Sequence, residues 1–378
     1  MRPDVLVAGG GIIGLSVAWR TVQRGLSVTV VDESPGSGAS RAAAGMLAPV
    51  TEAAYGEERL LALCRESLDR YPAFLADLER SGGIRVDLRT AGTLQVGFDA
   101  DDMAALDRLH AFYDELGLPA RRLTASQARR AEPSLTTRLR GALHAPGDHS
   151  IDPRALHAAL RAAAEADGVR VVRSRIAGLL VDGGRAAGLS LDDGTELAGG
   201  TVVLALGAWS ATLPGAPAVP VRPVKGQILR LRGAGGLLTG TVRALVRGRP
   251  VYLVPYGVDG LVVGATVEEL GFDAAVTAGA VHRLLSDAIE VVPGVTELEL
   301  VETLARWRPG SGDNAPLLGP SRLPGLLLAT GHYRNGVLLA PATGDALAEL
   351  LSTGTVPAFA APFSPDRHGL PDCAGRRP

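Results

Sequence analysis

The sequence predicts an α/β protein of two interleaved domains, one a Rossmann-like nucleotide-binding domain and the other built on antiparallel sheet. Three observations predict it. An apolar strand, a glycine turn and a helix open the chain over residues 5–22. A second strand, glycine-rich turn and helix come late, over residues 325–351. Between them, 83–147 and 216–307 alternate like half-buried strands instead of repeating a βαβ pattern. At 378 residues the chain is also long for a single hydrophobic core.

The opening stretch Val5-Leu6-Val7-Ala8-Gly9-Gly10-Gly11-Ile12-Ile13-Gly14 fits G-x-G-x-x-G at Gly9, Gly11 and Gly14. Gly9 permits the tight turn, Gly11 lets a pyrophosphate approach bare backbone, and Gly14 lets the helix pack close to the strand. First-turn N–H groups lack intrahelical partners and the helix dipole favours negative charge there, so an anionic dinucleotide is the expected ligand. Leu15, Ala18, Trp19 and Val22 give the helix its apolar face, and Gly25 is a suitable stop. A second apolar strand, 28–31, ends in Asp32, about 20 residues past the glycines, where an acid accepts hydrogen bonds from a ribose and repels a 2′-phosphate.

The run from Glu33 to Met46 is rich in small residues and reads as a cofactor-wrapping loop. Residues 58–82 have a helical apolar face. A strand is expected over 92–98, a helix over 101–116, and a capping box at Thr124-Ala125-Ser126-Gln127 starts a short helix ended by Pro133. Asp152-Pro153 starts a helix running to Gly168, followed by a strand over 169–172, a hairpin region over 177–198 and a strand over 201–206. That strand ends in Gly207-Ala208-Trp209-Ser210, and glycine at the carboxyl end of a strand marks a ligand position in open α/β sheets. Further strands are expected within 221–231, over 251–255 and 261–266 as a hairpin, and over 298–307, with a helix near 275–290. The late unit passes through Thr330-Gly331-His332-Tyr333-Arg334-Asn335-Gly336 into a helix over 339–351, whose amino end is expected to face the far half of a large cofactor. Two glycine turns suggest FAD more than NAD, because the flavin half needs its own cradle. Residues 1–82, 148–215 and 308–367 are assigned to the FAD-binding domain and 83–147 and 216–307 to the substrate domain. After Thr353 the chain is expected to be extended, with 368–378 a disordered tail.

Composition excludes several classes. Apolar content of 46%, charged content of 21% and a net charge of -2 give no global pull toward nucleic acid or membrane. Cys64 and Cys373 form no CxxC, metal pattern or disulfide framework. With no signal-peptide pattern and no apolar run long enough to span a bilayer, a cytoplasmic protein is expected.

The chain resembles the D-amino acid oxidase superfamily of FAD-dependent amine oxidases, and within it the glycine oxidases of the thiamine pathway. The resemblance is carried by residues 9–14, 40–49 (Ser-Arg-Ala-Ala-Ala-Gly-Met-Leu-Ala-Pro), 207–210, Lys225-Gly226-Gln227, 252–255, 264–266, Arg308-Pro309-Gly310 and 331–344, and it extends to Pro365-Asp366-Arg367. It implies noncovalent FAD, since no cysteine lies in the late turn. It implies hydride transfer from the α-carbon of glycine or another small amine to flavin N5, giving an imine or glyoxylate, ammonia and, after reoxidation by O2, hydrogen peroxide. It further implies a homotetramer and a link to thiazole synthase. The implied cofactor contacts are Ile12, Ile13, Asp32, Glu33, Ala39, Ser40, Ala44, Gly45, Met46, Ile176 and the run His332, Tyr333, Arg334, Asn335, Gly336, Val337 and Leu338, beside Gly9, Gly11, Gly14 and Gly207 from the residues themselves.

An amino-acid carboxylate needs a bidentate partner, which arginine's planar fork supplies. Arg308 and Arg334 are the candidates, although a surface ion pair is an arginine's usual fate, and the resemblance aligns both with the carboxylate site. Tyr252 matches a pocket tyrosine. His332 is read as flavin-contacting backbone, because hydride transfer from a neutral amine requires no protein base, and no catalytic side chain is assigned. Val267 stands where the glycine oxidases carry a methionine, Tyr256 where they carry a basic residue, and residues 261–264 lack the lysine that sarcosine-oxidising relatives use with oxygen. The rival readings are a sarcosine or D-amino acid oxidase of the same fold and a non-catalytic flavin-binding protein.

Overall fold

The structure, a computed structural model, describes residues 2–368. The expected disordered tail lies, apart from its first residue, outside the described residues, as does Cys373; Cys64 is free and buried.

The opening strand, Val5–Ala8, sits inside a six-stranded sheet in the order Leu317–Pro320, Leu326–Thr330, Thr201–Leu204, Val5–Ala8, Val28–Val31, Arg170–Val172. Every neighbouring pair is parallel except the first, which is an antiparallel edge pair. The apolar runs have a simple cause, because both faces are covered. Val5, Val7, Val28 and Val30 pack into a core with helices Ile12–Val22, Glu58–Gly82, Pro153–Ala166 and Ala340–Thr353. Leu6, Ala8, Val202 and Leu204 pack on the opposite face against Leu179, Ala186, Leu189 and Leu191. These come from a three-stranded antiparallel sheet, Ile176–Asp182, Arg185–Leu191 and Glu196–Ala198, where the sequence suggests a hairpin region.

The second large sheet has eight strands, in the order Glu299–Gly310, Arg222–Arg232, Gly260–Gly264, Arg249–Tyr256, Thr241–Val246, Thr93–Gly97, Gly141–Ala145, Arg121–Thr124. It is antiparallel except between Thr93–Gly97 and Thr241–Val246. Period-two alternation splits its faces. Leu229, Leu231, Leu253, Val263 and Val242 face a core closed by the helix Ala278–Val291, while Ile228, Val254, Val262 and Leu304 face Ala44 and Met46 of the nucleotide-binding side. The expected helix starts hold. Thr124 and Gln127 form a reciprocal capping box, and Asp152 accepts from the Arg154 N–H.

Two corrections follow. The strand ending in Trp307 continues through Arg308 and Pro309 to Gly310. After Thr353 the chain does not stay extended. It forms short 3₁₀ turns at Ala361–Phe363 and Pro365–His368, with Phe363 buried and Arg367 donating to Asp313, Ala315 and Pro316, because these contacts satisfy carbonyls that an extended segment would leave to water.

A third, small sheet joins Met46–Leu47, His149–Ile151 and Leu88–Arg89. Beside it the fully buried Asp148 accepts from Val50 N at 2.9 Å, Thr51 N at 3.1 Å and Thr51 Oγ1 at 2.6 Å, fixing the segment that presents Glu52. Asp148→Ala leaves three buried donors without an acceptor and is expected to cost about 3 kcal/mol, read as a lower denaturation midpoint of the apoprotein.

Candidate active site

A cavity of about 1100 Å³ opens between the carboxyl ends of the parallel strands and the face of the antiparallel sheet. At one end is the glycine turn. Gly9 has φ +108°, and a Cβ there would stand 2.8 Å from the carbonyl carbon of Ala205. Gly14 lies behind the wall, where a Cβ would meet the Gly9 peptide, so the close helix–strand approach requires glycine. The helix that starts at Ile12 carries no acid in its first turn, which leaves its positive end open to an anion. Ser40 Oγ accepts from Ile12 N, while Asp32 accepts from Gly10 N at 2.7 Å and Ser34 N at 2.8 Å. Below the loop, His157 Nε2 donates to the Gly10 carbonyl at 2.9 Å.

The wall continues through Gly11, Ile12, Ile13, Asp32, Glu33, Ala39, Ser40, Ala44, Gly45, Met46, Ile176 and Gly207. Gly45 has φ +89° and faces the Ile151 carbonyl and the Pro153 ring so closely that no side chain fits. The late turn supplies His332, Tyr333, Arg334, Asn335, Gly336 and Val337. It is fastened to the Arg308-Pro309-Gly310 strand end by Tyr333 N donating to Pro309 O at 3.0 Å and by a bridge between Gly310 and His332. Leu338 stands behind the wall, and its carbonyl accepts from Ser67 Oγ at 2.7 Å. The turn, not the amino end of the helix after it, lines the cavity. That helix begins at Ala340 in the core, and its Ala342 N–H is taken by Ser67 Oγ. The volume, the glycine cradle and the uncompensated helix end fit a dinucleotide with a bulky planar half.

At the other end, Arg308, Arg334 and Tyr252 line the same cavity. Arg308 Nη1 donates to the Thr266 carbonyl at 3.2 Å. Burial pushes the Tyr252 phenol up, with the Arg308 charge opposing it. Two residues that the sequence reading missed complete the site. Arg243 shares a sheet row with Gln95 and Tyr252, and it pairs with Glu52. Glu52 also meets Arg334 Nε at 3.2 Å. Burial works to raise the Glu52 carboxyl, but the Arg243, Arg334 and Arg308 guanidiniums outweigh it and hold the group below its ordinary value. Three guanidiniums against one carboxylate leave this wall net positive, suited to an anionic substrate. Glu52 belongs to no motif, and Arg243 lies on an unassigned strand; only pairing across 148 residues with Thr93–Gly97 brings Arg243 to the cavity.

His332 is buried and its Nε2 meets Thr343 Oγ1 at 3.0 Å, so its side chain faces the helix while the residue still lines the cavity. Tyr256 lies outside the cavity lining, under the Arg230 guanidinium at 3.7 Å; Val267 is on the cavity wall, 61% exposed. Among the described residues no cluster of metal-binding side chains exists, and no helix is long and apolar enough to cross a membrane.

Comparison with known proteins agrees with this geometry. The family model described as DAO, FAD dependent oxidoreductase, matches residues 4–350. Glycine oxidase of Geobacillus kaustophilus is 34% identical, with 97% of each chain covered, and its crystal structure superposes with a TM-score of 0.89 over 97% of this chain and 99% of that one. Glycine oxidase of Pseudomonas aeruginosa is also 34% identical, covering 97% of this chain and 99% of that one. A bifunctional protein ThiO/ThiG of Nostoc sp. is 34% identical over 93% of this chain, which spans 53% of that protein. The cradle at one end of the cavity, the charged wall at the other and these likenesses together mean that the chain belongs to the DAO family of FAD-dependent oxidoreductases and is an FAD-dependent amine oxidase.

Proposed function

We propose that this protein oxidises glycine and closely related small amines, and that the sequence divides between an FAD-binding and a substrate domain at the boundaries given above. One observation carries the reading: a cavity with a dinucleotide cradle at one end has Arg308, Arg334 and Tyr252 in its wall at the other. Noncovalent FAD would be held by the backbone of Gly9, Gly11, Ile12 and Ile13, by Asp32, Glu33, Ala39, Ser40, Ala44, Gly45, Met46, Ile176 and Gly207, and by the late turn from His332 to Val337, with Leu338 behind the wall. Bound there, FAD would supply the two-electron acceptor for the hydride of the substrate's α-carbon, with O2 as terminal oxidant reduced to hydrogen peroxide and the imine released or hydrolysed by water to glyoxylate and ammonia.

The chain's own part is binding and orientation. Arg308 grips the substrate carboxylate with its planar fork, and Tyr252 donates its phenolic proton to the same group. Arg334 adds a second positive charge. Glu52, ionised between Arg243 and Arg334, fixes both guanidiniums and prevents their mutual repulsion from spreading the site. No side chain is required to take a proton from carbon. We further propose that the imine feeds thiazole formation, a link supported by the bifunctional ThiO/ThiG relatives, and that the protein is a cytoplasmic homotetramer, as the family resemblance and the composition suggest. An N-substituted glycine or a D-amino acid is the alternative substrate, favoured by Val267 at the cavity wall, a smaller residue than the expected methionine.

The purified protein is expected to be yellow and to bleach on anaerobic addition of glycine. Initial rates with glycine, sarcosine, D-alanine and D-proline decide the substrate, and the assignment fails if glycine is the poorest of the four. Arg308→Ala should lower kcat/KM at least ~100-fold, as expected for a lost charge-assisted contact of 3 kcal/mol or so, with the FAD spectrum intact. Unchanged activity would remove Arg308 from the site. Burial holds the His332 imidazole down at about 3, against an ordinary value of 6.5. The unfolded chain therefore binds a proton across that window that the native state refuses, so stability is greatest above the window and falls as pH drops through it. His332→Asn should flatten that acid-side loss in thermal melts and leave the shape of the kcat/KM pH profile unaltered.

A further inference from the structure

Both side chains of the proposed carboxylate clamp lie on bare backbone. A Cβ at Gly226 would stand within 2.6 Å of Arg308 Cζ and Nη2, and one at Gly264 would stand 2.5 Å from Tyr252 Cζ. Neither glycine has a positive φ, so φ does not call for glycine at either position, whereas the space above each does. Strand register explains both contacts. Tyr252 is directly opposite Gly264, and its ring lies over that partner. Arg308 is opposite Val224, two positions from Gly226 on the same strand face, and its guanidinium reaches back across the gap. A third pair of this kind, Gly260 beneath Tyr256 with a Cβ 2.5 Å from Cε1, lies on the same two strands but outside the cavity lining.

We propose that Gly226 and Gly264 are positioning residues for substrate binding. Their missing side chains let the Arg308 fork and the Tyr252 phenol lie down on the sheet, which sets the depth of the carboxylate seat and hence the room left for the α-carbon. The inference rests on the reading of Arg308 and Tyr252 as the clamp. At Gly226 the atoms that would be displaced are the far end of a flexible side chain. Alanine there disturbs the fold little and moves the functional group itself into the cavity.

The test uses the FAD-loaded enzyme. Gly226→Ala and Gly264→Ala should raise KM for glycine about tenfold or more, with kcat changed less and the flavin spectrum retained, because an ångström-scale displacement of a clamp is felt in binding. Gly260→Ala imposes a like clash on the neighbouring ring and should leave KM within about twofold of wild type. In a Tyr252→Phe background, which removes the hydroxyl nearest the added methyl, Gly264→Ala should have a smaller effect than in wild type. Unchanged KM in Gly226→Ala overturns the inference, and so does an equal KM rise in Gly260→Ala, which would mark the effect as general packing. If Gly264→Ala fails to fold, Gly226→Ala carries the test. Arg308→Ala separates the layers: if it leaves KM unaltered the clamp reading falls, whereas its loss of binding alongside an unaffected Gly226→Ala removes this inference alone.

Discussion

One mostly buried carboxylate holds the charged end of the cavity together. Glu52 meets Arg243, from the antiparallel sheet, and Arg334, from the late glycine turn. Two guanidiniums brought together on one cavity wall repel, and removing their shared counter-charge would leave the partly buried Arg243 and the more exposed Arg334 facing each other unpaired. The depressed Glu52 pKa expresses the same interaction from the carboxylate's side. Glu52 in turn depends on the segment before it, which Asp148 fixes through three hydrogen bonds. Pieces of chain from residues 50 to 334 are thus tied into one electrostatic unit, and the geometry of the wall rests on it.

The two ends of the cavity share a second device, bare backbone. At the dinucleotide end Gly9, Gly14 and Gly45 let chain segments approach more closely than any Cβ allows. At the charged end Gly226 and Gly264 make room for side chains instead of for a ligand or a peptide. The first use is a property of the turn and the second a property of cross-strand neighbours. That difference explains why one is visible as a spacing motif and the other is not.

His332 shows how packing bears on a tempting assignment. A histidine in a glycine turn beside a cofactor site invites a proton-transfer role. Its ring is buried, its Nε2 is engaged by Thr343, and burial keeps it neutral. These facts agree with a mechanism in which the protein orients and the cofactor performs the redox chemistry.

The sequence by itself determined the local features: the G-x-G-x-x-G turn with Asp32 after the second strand, the capping box at Thr124, the Asp152-Pro153 helix start and the late glycine turn. Each is marked by residue type and spacing along a short stretch of chain, whatever it later packs against, so the sequence pattern records it. The family resemblance extended that reading to Arg308, Arg334 and Tyr252. Only the tertiary structure decided the rest. Thr241–Val246 pairs in parallel with Thr93–Gly97, which brings Arg243 to a wall that also holds Glu52. The chain after Thr353 folds back because Arg367 finds carbonyls around residue 315. The amino end of the last helix turns into the core, where Ser67 receives its N–H. Such contacts join residues tens to hundreds of positions apart, and register across a sheet and the closure of long loops leave no periodic trace in the segments they connect.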